Sequence, residues 1–221
     1  MELTGILAAC DHTLLSQTAT WDDVRAVCDD AVRFGCASVC IPPSFVARAS
    51  EYLSGALPVC TVIGFPNGYA TTRTKCFEAR DAIDNGASEI DMVVNLGDVR
   101  GGRFDAVAEE LAAMREATRG HILKVIIETG LLTDEEKCRL CELVTASGAD
   151  FIKTSTGFSG SGATEHDVRL LREHVGENVR VKASGGIRDL ADAERFLALG
   201  ASRLGTSRVV GAAKAKTQEG E

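Results

Sequence analysis

The sequence predicts an α/β protein: a single (β/α)8 TIM barrel that forms one domain over residues 1–221, with a polar tail from about residue 211. Short β-branched runs alternate with longer amphipathic stretches along the whole chain. Eight such units are present, and a chain of 221 residues is long enough for one barrel. The first predicted strand also lacks the glycine turn that follows it in nucleotide-binding open sheets, which favours the closed barrel.

The predicted elements begin and end where these patterns change. Strands are predicted over residues 6–10, 37–41, 59–63, 89–94, 123–128, 151–154, 179–183 and 202–205. Helices are predicted over residues 22–34, 44–54, 72–84, 104–119, 134–147, 165–174 and 189–199. Several helices are followed by a glycine, such as Gly86 or Gly148, which can adopt the left-handed conformation that caps a helix. In a closed barrel, the catalytic groups belong at the carboxyl ends of the strands.

Composition and charge limit the classes of function. The chain is 45% apolar and 25% charged, and no run approaches the roughly 18 apolar residues of a membrane span. The N-terminal residues lack the basic and apolar segments of an export signal, so we expect a cytoplasmic protein. A formal net charge of -8 argues against a nucleic-acid partner, because binding to phosphate backbones needs clustered Lys and Arg.

The eight cysteines are expected to be free thiols. Disulfide frameworks are typical of short secreted chains that lack a core, and neither condition is predicted here. Cys138 and Cys141 form a C-x-x-C pair, but the pair falls within a predicted helix and no second pair or histidine nearby completes a tetrahedral zinc site. We therefore expect neither a metal nor a redox centre at this pair.

Two lysines mark the ends of neighbouring predicted strands. Lys153 lies where an apolar strand passes into a polar loop, and Lys182 occupies the same place in the next strand. Either lysine alone could be a salt-bridged barrel residue. Two partly desolvated ammonium groups held close together disfavour both being charged, so one amine becomes a nucleophile near neutral pH. Such an amine forms an iminium with a carbonyl substrate, and the iminium accepts electrons when a nearby carbon–carbon bond breaks.

Charged residues on the middle strands predict the proton-transfer machinery. Asp91 lies between apolar residues of the fourth strand, where an unpaired carboxylate would be costly to bury, so we expect it to face the lysines. There it can pair with Lys182 and relay protons through a water molecule. A purely structural ion pair is the alternative. The fifth strand adds Lys124 and Glu128, which we expect to support these groups without reacting.

Two glycine-containing loops near the end of the chain predict a phosphate site. They follow the seventh and eighth strands and combine bare backbone N–H groups with hydroxyl and guanidinium groups. Barrels of this class often bind phosphate in these loops. Together with a glycine after the sixth strand, the predicted phosphate-binding residues are Gly157, Gly185, Gly186, Gly205, Ser207 and Arg208.

Six segments of the chain together resemble the deoxyribose-phosphate aldolase family. The resemblance spans nearly the whole chain, and the segment around Lys153 is its most specific part. The segments are Asp11-His12-Thr13-Leu14-Leu15, Gly64-Phe65-Pro66-Asn67-Gly68, Glu89-Ile90-Asp91-Met92-Val93-Val94-Asn95, Lys124-Val125-Ile126-Ile127-Glu128-Thr129-Gly130, Phe151-Ile152-Lys153-Thr154-Ser155-Thr156-Gly157-Phe158 and Val181-Lys182-Ala183-Ser184-Gly185-Gly186-Ile187-Arg188.

The resemblance implies a reaction and a role for each central residue. The reaction is reversible cleavage of 2-deoxy-D-ribose 5-phosphate to D-glyceraldehyde 3-phosphate and acetaldehyde, in deoxynucleoside catabolism. No metal or organic cofactor is implied. Lys153 would form the Schiff base, Lys182 would ease its deprotonation, and Asp91 would take part in proton transfer.

The resemblance also implies the surroundings of these residues and the assembly. Asp11 is expected at the barrel mouth, where it would order the polar network and contact the sugar hydroxyls. Thr13 and Cys40 are expected to support the same region, with Cys40 lining the mouth. The glycine loops would hold the phosphate of the small-molecule sugar phosphate substrate. A homodimer or homotetramer is the implied assembly.

Two features depart from the family pattern, and two other functions stay open. Arg208 stands where the family commonly has a second serine, and we expect it to tighten phosphate binding. The segment 211–221 contains no tyrosine, whereas some members end in one that is implicated in proton transfer. One alternative is a class I or transaldolase-like enzyme that acts on another phosphorylated sugar. The other is a catalytically silent barrel that binds a sugar phosphate or a partner.

Overall fold

Eight parallel strands close into a barrel in the computed structural model, which describes residues 1–218 and the side chains of residues 1–216. Each strand pairs with the next one along the chain, and the eighth pairs with the first, so the predicted (β/α)8 barrel is confirmed. The strands are β1 (Cys10–Thr13), β2 (Ser38–Ile41), β3 (Val59–Ile63), β4 (Glu89–Val93), β5 (Ile122–Ile126), β6 (Phe151–Lys153), β7 (Arg180–Ser184) and β8 (Ala201–Thr206).

Helices follow the strands and cover the outside of the barrel. The three predicted over residues 72–84, 134–147 and 165–174 are confirmed at both ends, and each begins after a threonine that accepts a backbone N–H. No helix described within residues 1–218 combines the length and apolar character needed to cross a bilayer. The helices are α1 (Leu3–Ala8), α2 (Trp21–Arg33), α3 (Val46–Leu53), α4 (Thr72–Asp84), α5 (Leu96–Arg100), α6 (Phe104–Ala117), α7 (Asp134–Ser147), α8 (Glu165–His174), α9 (Leu190–Ala198) and α10 (Val209–Gln218).

The start of the chain differs from the prediction. A strand over residues 6–10 is wrong, because residues 3–8 form α1 and β1 begins at Cys10. A short apolar run has no periodicity that separates a buried strand from a buried helix, and here Ile6 and Leu7 bury their side chains as part of α1. The later start of β1 places Asp11 within the strand, where it is fully buried.

The end of the chain also differs from the prediction. The segment expected to be a polar tail, from about residue 211, is helical up to residue 218, because residues 209–218 form α10. This segment is rich in alanine and lysine, which favour helix, and Val209, Val210 and Ala213 are buried. Residues 219–221 lie outside the described part of the chain.

The two sides of the strands face different surroundings. Outward residues such as Ile90, Met92 and Val125 belong to the main apolar core between strands and helices. Residues that alternate with them, such as Asp91 and Lys124, point into the barrel because side chains change face at every position of a strand. The barrel interior therefore holds the charged residues, and the layer outside it supplies most of the apolar core.

Candidate active site

The strand register brings the predicted catalytic residues together. Pairing of β6 with β7 sets Lys153 opposite Lys182, and pairing of β4 with β5 sets Asp91 opposite Lys124. All four side chains point into the barrel, where Lys153 is 2% exposed and the other three are fully buried. The structure thus joins residues that lie as much as 91 positions apart in the sequence.

The Asp91 carboxylate is the centre of this group. Its Oδ2 atom accepts hydrogen bonds from Lys153 Nζ at 2.8 Å and Lys182 Nζ at 2.7 Å. Its Oδ1 atom accepts from Lys124 Nζ at 2.8 Å and from the Cys60 thiol at 3.2 Å. Two amines therefore share one carboxylate oxygen, which is the juxtaposition that the sequence predicted for Lys153 and Lys182.

The electrostatic surroundings fix the charges of the supporting groups. Burial alone would raise the pKa of Asp91, but the three lysines hold that pKa well below its ordinary value. Burial alone would lower the pKa of Lys182, but the Asp11 and Asp91 carboxylates hold it above its ordinary value. The pKa of Lys124 is raised in the same way, chiefly by Asp91 among the acids. At neutral pH, Asp91 is an anion and both Lys124 and Lys182 are cations.

A second layer of ion pairs lies beneath Asp91. Asp11 accepts hydrogen bonds from Lys182, from Ser38 Oγ at 2.7 Å and from Arg203 Nη1 at 2.5 Å. Glu89 bonds Lys124 at 2.7 Å and Arg203 at 3.1 Å. Sequence reasoning missed Glu89 and Arg203 as members of the site. Side chains two positions apart on a strand face the same side, and each of these residues lies two positions before another residue that faces the barrel interior. This alternation was the signal that could have identified them.

The structure corrects two of the expected positions around the mouth. Asp11 orders the polar network as expected, but it is fully buried below the mouth rather than at it. Cys40 is also fully buried and packs with Cys60 and Val62, so it does not line the mouth as we expected. A hydrogen bond with Cys60 lowers the pKa of the Cys40 thiol.

Glu128 holds the loop that follows β6. Its backbone adopts a left-handed conformation with φ 52°, two residues after the end of β5. The carboxylate accepts the Thr156 N–H at 3.2 Å and the Thr156 hydroxyl. Glu128 therefore supports the loop after β6, and its expected support of the reactive lysines stays a prediction.

A cavity of about 650 Å³ lies at the carboxyl ends of β1, β6, β7 and β8. Thr13 lines it and donates its hydroxyl to the Asp11 backbone oxygen at 2.8 Å. Within the described part of the chain, its lining includes Arg188 and Arg208 but no carboxylate, so the cavity suits an anion. All six residues predicted for phosphate line this cavity: Gly157, Gly185, Gly186, Gly205, Ser207 and Arg208.

Close backbone contact shapes one wall of this cavity. Gly185 and Gly186 have φ values of 77° and 75°, a region that favours glycine. The loop after β6 packs directly on them, because a Cβ atom at Gly162 would lie 2.5 Å from the Gly185 carbonyl carbon. The Ala163 N–H donates to the Ser184 and Gly185 oxygens at 3.1 Å. Bare backbone is thus required at both loops.

The two cavity arginines differ in their partners. Arg188 is engaged by Asp192, with its Nε atom 2.9 Å from the carboxylate. The Arg208 backbone N–H donates to the Thr206 hydroxyl at 3.1 Å. Its guanidinium group forms no ion pair with a carboxylate within residues 1–216. Arg208 is therefore the arginine better placed to engage an added anion.

Two overlapping groups of buried residues have donor atoms close enough together to hold a metal ion. One is Cys40, Cys60 and Asp91, and the other is Asp11, Cys60 and Glu89. The Lys124 ammonium already bonds Asp91 and Glu89 at 2.8 and 2.7 Å. A metal ion would compete with that cation, so the residues present do not fit a resident metal.

Comparison with known proteins agrees with this geometry. Residues 6–208 match the family model described as DeoC/LacD family aldolase. The chain is 58% identical to deoxyribose-phosphate aldolase of Streptococcus agalactiae serotype Ia over 221 residues, which cover 100% of this chain and 99% of that protein. It is 60% identical to the Streptococcus pyogenes serotype M4 protein of the same name over 210 residues, which cover 95% of this chain and 94% of that protein.

A solved structure is similar over almost the same span. The tetrameric deoxyribose phosphate aldolase from Aeropyrum pernix superposes with a TM-score of 0.90 at 32% identity, and the match covers 97% of this chain and 93% of that one. The family model and these relatives extend across the barrel and every residue of the site described above. The chain belongs to the DeoC/LacD family of aldolases.

Proposed function

We propose that the protein catalyses reversible aldol cleavage of 2-deoxy-D-ribose 5-phosphate to D-glyceraldehyde 3-phosphate and acetaldehyde. The observation that carries the proposal is the pair of amines, Lys153 and Lys182, bonded to one oxygen of Asp91. The name shared by the Streptococcus relatives supports this substrate. The two arginines that line the cavity, which has no carboxylate lining it among the described residues, support a phosphorylated one.

Lys153 is the proposed nucleophile. Its neutral amine adds to the C1 aldehyde of the open-chain sugar to give a carbinolamine, which loses water to give the iminium. The C3 hydroxyl then loses its proton while the C2–C3 bond breaks, and the electron pair of that bond moves into the iminium to form an enamine. D-glyceraldehyde 3-phosphate leaves. Protonation of the enamine at C2 and addition of water release acetaldehyde and restore the amine.

Asp91 and Lys182 are the proposed groups for proton transfer. The pKa of Asp91 lies well below its ordinary value because three lysines surround it, so it is ionised at neutral pH and accepts hydrogen bonds from the groups that move the proton. The pKa of Lys182 is raised by Asp11 and Asp91, so it keeps its proton and places a positive charge beside the Lys153 amine. A water molecule between these groups and the substrate would carry the proton.

The cavity residues are the proposed phosphate site. Backbone N–H groups beside Gly185, Gly186 and Gly205 would bind phosphate oxygens, and Ser207 would add a hydroxyl donor. Arg208 would add a charge-assisted hydrogen bond. A phosphate bound there anchors one end of the sugar at the mouth above Lys153.

The proposed enzyme acts as a homodimer or homotetramer, and the tetrameric Aeropyrum pernix relative supports the larger assembly. One barrel domain, a cytoplasmic location and the lack of a nucleic-acid partner stay predictions from the sequence.

Reductive trapping tests the mechanism. The protein is incubated with deoxyribose 5-phosphate, reduced with borohydride, and digested for peptide mass spectrometry. We expect one sugar-derived adduct on Lys153, absent from the Lys153→Arg control, and release of acetaldehyde without borohydride. An active, folded sample without an adduct would exclude the lysine mechanism. An adduct formed only with a different sugar phosphate would support the alternative substrate.

A further inference from the structure

A buried ion cluster fills the barrel interior, and its charges do not balance. Seven side chains bond one another directly or through a shared partner, and five of them are fully buried or nearly so at 2% exposure. The cations are Lys124, Lys153, Lys182 and Arg203, and the acids are Asp11, Glu89 and Asp91. Within the described residues, four cations therefore meet three carboxylates.

Three of the cations are held in their charged forms. The pKa of Lys182 and that of Lys124 are raised by the carboxylates they bond. Arg203 is charged at every accessible pH and lies against Asp11 and Glu89. Lys153 differs, because Asp91 is its one carboxylate partner within residues 1–216, and that acid is shared with two other lysines.

We propose that Arg203 is a positioning residue for the reactive amine: its fixed charge completes neutralisation of the three acids, so that Lys153 is the surplus cation. Three carboxylates balance only three cations in a buried cluster, and Lys153, which bonds the shared carboxylate Asp91, is the cation left without a compensating charge. Arg203 acts through Asp11 and Glu89 and touches no reacting atom. This inference rests on the proposed function only in taking Lys153 as the reacting amine.

Other titratable groups face the cluster from β2 and β3. They are the thiols of Cys40 and Cys60, and Cys60 lies 3.2 Å from Lys124 Nζ. The Cys40 thiol has a lowered pKa, so it is the group that could add a negative charge. Arg180 of β7 stacks on Phe151 with its guanidinium carbon 4.0 Å from the ring centre, and it is exposed to solvent. Water therefore screens the charge of Arg180.

Variants that remove one charge test the proposal, because removing a cation and removing an acid should shift the pH profile of Lys153 in opposite directions. Arg203→Met removes a positive charge, so deprotonation of Lys153 should require a higher pH, and Glu89→Gln should do the reverse. The expected displacement of the pH profile is on the order of one pH unit in each direction. The double variant restores the original net charge and should return the midpoint towards that of the wild type. Arg203→Lys keeps the charge and is the matched control.

Two readouts separate this proposal from the proposed function. The first is the rate at which acetaldehyde and cyanoborohydride ethylate Lys153, measured by peptide mass spectrometry across the pH range. The second is the pH profile of kcat/KM for deoxyribose 5-phosphate. If labelling profiles shift as expected while this sugar is not cleaved, the proposed substrate fails and the charge inference stands.

The result that overturns the proposal is equally specific. The proposal fails if the pH midpoints for Lys153 labelling in Arg203→Met and Glu89→Gln move in the same direction or stay at the wild-type value. Arg203 would then act only on packing. Each variant is repeated with Cys40→Ser, and shifts that vanish in this background would assign the effect to the thiol. If Arg203→Met does not fold, the downward shift of Glu89→Gln decides the question.

Discussion

Replacing Asp91 with asparagine tests the centre of the ion cluster. The change keeps the size of the side chain but removes the charge that bonds Lys124, Lys153 and Lys182 at 2.7 to 2.8 Å. Removing one partner of a buried ion pair costs about 3–5 kcal/mol. We expect the lower half of this range, because Lys124 keeps Glu89 and Lys182 keeps Asp11 as partners.

The pH dependence of this loss follows from the direction of the pKa shift. The folded pKa of Asp91 lies well below its ordinary value, so its stabilising effect is complete above the unfolded pKa of about 3.9. The effect disappears as the pH falls through the folded pKa. Asp91 stays ionised in both the folded and the unfolded state between pH 5.5 and pH 8, so its own titration should add no pH dependence to the stability difference between wild type and Asp91→Asn in this range.

Urea unfolding measured by circular dichroism and by fluorescence of Trp21, the one tryptophan, gives the free energy directly. The melting temperature should fall by roughly 6–12 °C for a loss of about 3 kcal/mol in a chain of this size. A loss below about 1 kcal/mol at both pH values would refute the reasoning, since it would mean that Asp91 does not hold Lys124 and Lys182 as cations.

Glu110→Gln is the matched control for this experiment. Glu110 forms a buried pair with Lys75 at 2.6 Å outside the barrel interior. Burial raises the pKa of Glu110 and lowers that of Lys75, so this pair gains less from being charged than the Asp91 cluster does. We expect a smaller loss of about 1–2 kcal/mol and an unchanged adduct on Lys153. Asp91→Asn, by contrast, should lower both the free energy of unfolding and the rate of the proton-transfer steps.

Three further predictions test individual residues. Lys153→Ala should lower kcat/KM by roughly 10³-fold or more while the melting curve stays cooperative, and a smaller loss in steady-state assays would contradict its role as nucleophile. Arg208→Ser should raise KM for deoxyribose 5-phosphate about 10-fold relative to unphosphorylated deoxyribose, and an unchanged ratio of the two constants would show that Arg208 does not bind phosphate. Iodoacetamide should label the partly exposed Cys138 before the buried Cys40, and peptide mapping that finds Cys40 labelled first would contradict the burial of Cys40.

Much of the barrel could be predicted from the sequence because its units repeat one local pattern. The helices over residues 72–84, 134–147 and 165–174 were predicted with both ends correct, and in the structure each one begins after a threonine that caps its first turn. The first strand and the last helix were missed. Short segments such as residues 3–8 carry too few residues for periodicity to separate helix from strand.

The sequence by itself determined the fold class, the lysines at the ends of two neighbouring strands, and the glycine loops near the end of the chain. These features depend on residue type and on spacing between nearby residues, and both can be read directly from the linear sequence. The sequence also predicted that Asp91 would need a partner, because an isolated buried carboxylate is costly.

Only the tertiary structure decided which charges share the barrel interior. Glu89 and Arg203 lie 114 residues apart, and closure of β8 onto β1 with the stagger of the strands brings their side chains within 3.1 Å. The depth of Asp11 and Cys40 below the mouth depends on the same stagger. The balance of charge around Lys153 is therefore a property of barrel closure, since charges far apart in sequence interact strongly only when folding removes the water between them.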